Sequence, residues 1–124
     1  MIPHIRKASL FIFSFLMLIS LHAQECGYVY VSPTGANSGA AGTRANPASL
    51  QYGLTLLSAA NNHMRMAQGT YTIDQAISLA SNFTIEGGFE SNQWIKSNTY
   101  STIIQRSALN VEPNPNRITA IQAV

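Results

Sequence analysis

Trp94, Lys96 and Tyr100 lie within one short stretch of the chain. An indole, an ammonium and a phenol spaced that closely are groups that hold sugars. Rings stack on apolar C–H faces, while charged and hydroxyl groups bond the sugar hydroxyls. Tyr71 and Phe89 belong to the same region and could extend such a platform. Core or corner packing is the favoured fate of these rings, because large rings dominate buried area. Against it, Trp94, Lys96 and Tyr100 stand as candidate glycan contacts, with Trp94-Ile95-Lys96 the patch of first interest.

Acid–base chemistry has less to work with. Asp74 is the one aspartate, and Glu25, Glu86, Glu90 and Glu112 are separated from one another. Hydrolysis of a glycosidic bond needs two carboxyl groups at a set separation. Glu86 and Glu90 have Gly87-Gly88 between them, which reads as a turn. Solvated surface is the usual place for such acids, and calcium, which takes six to eight oxygens, finds no Asp-rich cluster. His63 is the one histidine beyond the N-terminal leader, and a general base needs an oriented partner. One Cys and one His in the mature chain cannot make a zinc set. Gly35 to Gly42 is glycine-rich but lacks the Lys-Ser/Thr of a phosphate loop, and no GxSxG elbow occurs. No catalytic, cofactor-binding or metal residue is assigned. The segment leans away from enzyme activity.

The N-terminus carries an export signal. His4, Arg6 and Lys7 form a basic start, Leu10 to Leu21 is apolar, and Ala23 is a small residue before a cut. That run is shorter than the roughly twenty residues that span a bilayer as a helix. Residues 1–23 therefore read as a signal peptide, with secretion or the cell surface as destination and no membrane span after cleavage. Cleavage removes Arg6 and Lys7, leaving Arg44, Arg65, Lys96, Arg106 and Arg117 against Glu25, Asp74, Glu86, Glu90 and Glu112, five against five. A neutral chain without a basic stripe is not built for nucleic acid. Cys26 follows Glu25, unlike an acylated lipoprotein cysteine, and a lone thiol cannot form an internal disulfide.

The elements follow from periodicity. Residues 24–62 read as strand, loop and helix. Gly27-Tyr28-Val29-Tyr30-Val31 has the β-branched and aromatic content of a strand, and residues 32–47 have loop composition. Asn46-Pro47 predicts a helix start, with Leu50, Leu54 and Leu57 on one face. Met64 and Met66 alternate with His63 and Arg65, the period of a half-buried strand. Gly69 predicts an unusual backbone angle in a turn.

A step recurs beyond the helix. Met66, Ile85, Ile103 and Ile121 are separated by 85−66=19, 103−85=18 and 121−103=18 residues. A fixed step near twenty with one strand per step predicts a solenoid. Ile118 to Val124 then reads as an uncapped last rung, so the chain is expected to be part of something longer.

Tyr30-Val31-Ser32-Pro33-Thr34-Gly35, Asn46-Pro47-x-x-Leu50, Ala67-x-Gly69-Thr70-Tyr71 and Thr84-Ile85-x-Gly87-Gly88-Phe89 together resemble the start of a pectin-lyase-like protein. The similarity is greatest to the secreted and surface β-helix proteins of Bacteroidota. It implies an all-β, right-handed parallel β-helix whose first rungs, residues 63–124, follow an N-terminal amphipathic capping helix. It also implies an exported, adhesin-like module that binds carbohydrate or a surface protein and uses no cofactor. The alternative is the N-terminal fragment of a polysaccharide lyase or glycoside hydrolase with catalytic rungs beyond Val124.

Overall fold

The computed structural model describes residues 27–108, together with the backbone of strands at 112–113, 116–117 and 121–123. The expected signal peptide, Glu25, Cys26 and the side chains of the closing apolar run lie outside the described residues.

The chain is mostly strand. In order come β1 (Tyr28–Ala36), α1 (Leu50–Leu56), β2 (His63–Ala67), β3 (Gly69–Ile73), β4 (Ile77–Leu79), β5 (Thr84–Phe89) and β6 (Thr102–Arg106). The short strands β7 (Glu112–Pro113), β8 (Asn116–Arg117) and β9 (Ile121–Ala123) follow. One sheet has the order β1-β2-β5, and β3-β6 and β4-β9 are two-stranded. All three are parallel, whereas β7 and β8 pair antiparallel.

These small sheets correct the solenoid expectation: among the described residues no β-helix is evident. The 18-to-19-residue step is not the pairing step. Partners are offset by 63−28=35 from β1 to β2, and by 84−63=21 from β2 to β5. They are offset by 102−69=33 from β3 to β6, and by 121−77=44 from β4 to β9. The four recurring residues do not stack on one another. Ile85 pairs with Met64, Ile103 with Thr70, and Ile121 with Ile77, so they are spread over three sheets. Ile103 even points outward, 52% exposed. Counting apolar residues along the chain took no account of face, and a one-residue shift reverses the face of a strand.

Alternation does locate the main core. Val29 and Val31 of β1 share the inner face with Met64 and Met66 of β2, and Tyr71, Ile73 and Ile77 continue it. The Tyr71 hydroxyl donates between two carbonyl oxygens, Ala67 at 2.9 Å and Val31 at 3.0 Å. Burial pushes its pKa up. That stabilisation holds below the ordinary tyrosine range and is lost as pH rises past about 10, where the unfolded phenol ionises. Tyr71→Phe should cost about 1 kcal/mol in a urea melt at neutral pH, and the variant should lose less than wild type on alkalinisation.

The helix begins later than Asn46-Pro47 suggests. Ser49 is its N-cap, with Oγ accepting from the Tyr52 amide at 3.2 Å. Ala48 is instead bridged to Val31 and Ala36, which keeps the preceding residues extended. Asn46 closes a turn by accepting from the Gly42 amide at 2.9 Å. The buried α1 positions are Leu50 and Gly53, with Leu54, Leu56 and Leu57 packed partly buried against the core. A Cβ at Gly53 would lie 2.5 Å from Val31, so its absence lets the helix approach β1.

Candidate recognition face

The outer face of the three-stranded sheet collects the side chains with chemistry. Register places Tyr28, His63 and Thr84 in one cross-strand row, and Tyr30, Arg65 and Glu86 in the next. Such rows follow from alternation, since Val29, Met64 and Ile85 take the opposite face. The Arg65 guanidinium sits 3.8 Å from the Tyr28 ring centroid, within cation–π range, and donates to the Tyr30 hydroxyl at 3.2 Å. His63 is exposed, its ring centroid 5.6 Å from that of Tyr28.

A bulge extends this face. Arg65 pairs with Glu86, but Ala67 pairs with Phe89, so β5 carries one extra residue there. The paired glycines are thus not the turn that their composition suggested but a bulge inside one strand. Gly88 has φ 86° and its amide donates to Thr102 Oγ1 at 2.9 Å. A Cβ at Gly87 would fall 2.7 Å from that of Thr102. Bulges re-aim the next side chain. Here Phe89 joins Tyr30 in a second apolar cluster, apart from the main core.

A hairpin turn then folds back over that cluster. The Glu90 amide donates to Ile95 at 2.9 Å, Trp94 donates to Glu90 at 3.1 Å, and Ser97 donates to Gly88 at 3.0 Å. The Glu90 carboxylate accepts from the amides of Gln93 at 2.6 Å and Asn92 at 2.8 Å. Those two bonds hold its pKa below the usual glutamate range. The pinned turn drives Trp94 onto Tyr30, edge-on at 4.7 Å between centroids, with Phe89 at 6.3 Å. Trp94 Nε1 donates to the Arg44 carbonyl at 3.1 Å, and the Arg44 side chain donates back to the Gln93 carbonyl. Trp94 adopts φ 58°, a left-handed backbone costing on the order of 1–3 kcal/mol for a bulky residue.

The three candidate contacts therefore separate. Trp94 is only 6% exposed and supports the face from below the surface, offering no stacking plane in this arrangement. Lys96 is exposed and forms an ion pair with Glu86; the two side chains retain 52% and 42% of their accessible surface. Lys96 Nζ also lies 5.7 Å from the Phe89 ring centroid. Tyr100 is half-buried, with its amide donating to Ser97 at 3.2 Å. Sequence reasoning overlooked Glu86 as the partner of Lys96, and Tyr28 and Arg65 on the same face. The period-2 parity shared by Tyr28, Tyr30, His63 and Arg65 was the available signal.

Among the described residues, no three His, Cys, Asp or Glu side chains gather to hold a metal. Nor, among them, is any helix long and apolar enough to cross a membrane. No family model, curated protein or solved structure matches this chain.

Proposed function

We propose that this chain is a non-catalytic, carbohydrate-binding module of an exported protein, acting in secretion products or at the cell surface. One observation carries the proposal: the exposed Glu86–Lys96 pair stands beside the Arg65–Tyr28 stack on a single strand-supported face. Vicinal sugar hydroxyls need a donor and an acceptor side by side. The Glu86 carboxylate accepts from one hydroxyl and the Lys96 ammonium donates to its neighbour. Guanidinium and phenol planes give an adjacent surface for the sugar's C–H face. Strands hold Tyr28, Arg65 and Glu86 more firmly than loops do, which limits the ordering cost of binding, while Lys96 reaches the face from the 90–96 turn.

A glycan array followed by titration calorimetry tests this. Wild type should bind at least one saccharide, and Lys96→Ala and Glu86→Ala should each weaken it about tenfold, the equivalent of roughly 1.4 kcal/mol for a lost charged hydrogen bond. Binding that both variants leave untouched, or no binding across the array, would reject the assignment.

A further inference from the structure

Trp94 covers an aromatic floor that is separate from the main core. Tyr30, Ala67, Phe89 and Trp94 form their own cluster, with Tyr28 against it. The main core of Val29, Val31, Met64, Met66, Tyr71 and Ile73 lies on the opposite face of the sheet. Turn 90–96 could thus lift without opening that core. Its holding contacts lie mostly at the surface. They include the Glu90 carboxylate on two exposed amides, the exchange between Trp94, Gln93 and Arg44, the Lys96–Glu86 ion pair, and the hairpin's own backbone bonds.

Two features mark the closed turn as one of two arrangements. Trp94 is buried only by taking a left-handed backbone that bulky side chains avoid. Its neighbour Ile95, equally apolar, is left 57% exposed by the same twist. A strained residue with a poorly placed neighbour is how a fold stores a second conformation. Lifting the turn would relax φ at Trp94 and uncover the rings of Tyr30 and Phe89. Arg65 lies 5.4 Å from the Phe89 ring centroid and 5.9 Å from that of Tyr30, at the margin of that floor.

We infer that residues 90–96 form a strap over a cryptic saccharide site, in which a sugar ring takes the place of the Trp94 indole on Tyr30 and Phe89. The inference rests on reading this face as carbohydrate-binding and adds the ligand's shape. A ring with its hydroxyls equatorial has a flat C–H face to stack, so β-linked glucosides fit best. Binding and strap opening are then coupled, and loosening the strap raises apparent affinity.

The chain has one tryptophan, so indole fluorescence reports on the strap alone. Glu90→Gln removes the negative charge from the turn's cap. With no ligand present, this variant should show red-shifted emission and several-fold greater acrylamide quenching, with far-UV circular dichroism unchanged. In wild type, the amides of Asn92, Gln93 and Trp94 should exchange hydrogen faster than those of Met64 and Met66. That measurement needs no substitution. Titrating cellotriose should red-shift wild-type emission saturably and bind Glu90→Gln several-fold more tightly.

An indole that stays buried in Glu90→Gln, or amides at 92–94 that exchange only with the main core, would overturn the strap. Cellotriose heat with no change at Trp94 would also overturn it, while leaving the exposed Glu86–Lys96 face as the binding site. Strap opening without any saccharide heat in either protein would overturn the ligand assignment and the carbohydrate reading together.

Discussion

Replacing Trp94 with Ala should dissolve the second apolar cluster and lower overall stability by about 3 kcal/mol, within the range for truncating a buried tryptophan. The indole contacts Tyr30 at 4.7 Å, approaches Phe89 at 6.3 Å, and anchors the 43–46 turn through its Nε1 bond to Arg44. Relief of the left-handed backbone at residue 94 offsets part of the loss, which argues for the lower end of the range. Tyr30 and Phe89, both nearly buried in wild type, would become accessible. The main core sits on the other face of the sheet, so far-UV circular dichroism should be kept while the near-UV aromatic signal falls. Urea unfolding gives the free energy. Ile95→Ala, one position on and 57% exposed, should change stability by about 0.5 kcal/mol or less. Equal losses at the two positions would contradict the burial pattern.

Gly35→Ala should be the most damaging small substitution in the chain. A Cβ there would lie 1.9 Å from the Ala48 carbonyl oxygen and 2.6 Å from the Ser49 nitrogen. Both obstacles are backbone, so no side-chain rotamer relieves them. The 47–49 segment must move, and with it two bonds that join it to β1. These run from the Ala36 amide to Pro47 at 3.0 Å and from the Ser49 amide to Ala36 at 2.9 Å. Displacing Ser49 also disturbs the cap of α1, whose hydroxyl takes the Tyr52 amide. Overpacking with loss of these bonds should cost about 4 kcal/mol, beyond the usual one-methyl penalty. Gly39→Ala is the matched control. It meets nothing within 4 Å, and its φ of 71° alone costs about 1–2 kcal/mol. Denaturation midpoints for the two variants decide the matter, and similar midpoints would show that the β1–48 junction yields.

Local patterns were legible in the residues and long-range ones were not. Alternation at Met64 and Met66 identified their inward face, which packs in the main core, because a strand's side-chain period does not depend on its partners. Gly69 was expected to take an unusual backbone angle in a turn; its φ is 129°, but it opens strand β3 instead. The leucine face of α1 was visible too, although its start was misplaced by the pull of Asn46-Pro47. The Ala48 bridges that override that pull involve residues more than ten positions upstream.

The regular step through Met66, Ile85, Ile103 and Ile121 misled because pairing depends on the segments between strands. A loop and a helix separate β1 from β2, while a short connection and β3–β4 separate β2 from β5. Core packing was the expected fate of Trp94 and is the one it has, but what buries it was illegible. Its burial requires the bulge at Gly87-Gly88, the Glu90-capped turn and the docking of Arg44, three features spread over half the described chain. Lys96 was singled out for its chemistry, yet its value as a contact comes from Glu86, which lies opposite only because the hairpin folds back.

The most direct measurement is a two-dimensional amide NMR titration of the chain with cellotriose. Carbohydrate recognition at the outer face predicts shift changes concentrated at His63, Arg65, Glu86 and Trp94 to Lys96, saturating together and needing about tenfold more ligand in Lys96→Ala. Shift changes confined to Thr70, Thr72, Ile103 and Gln105 on the β3–β6 sheet, or no saturable change at all, would contradict it.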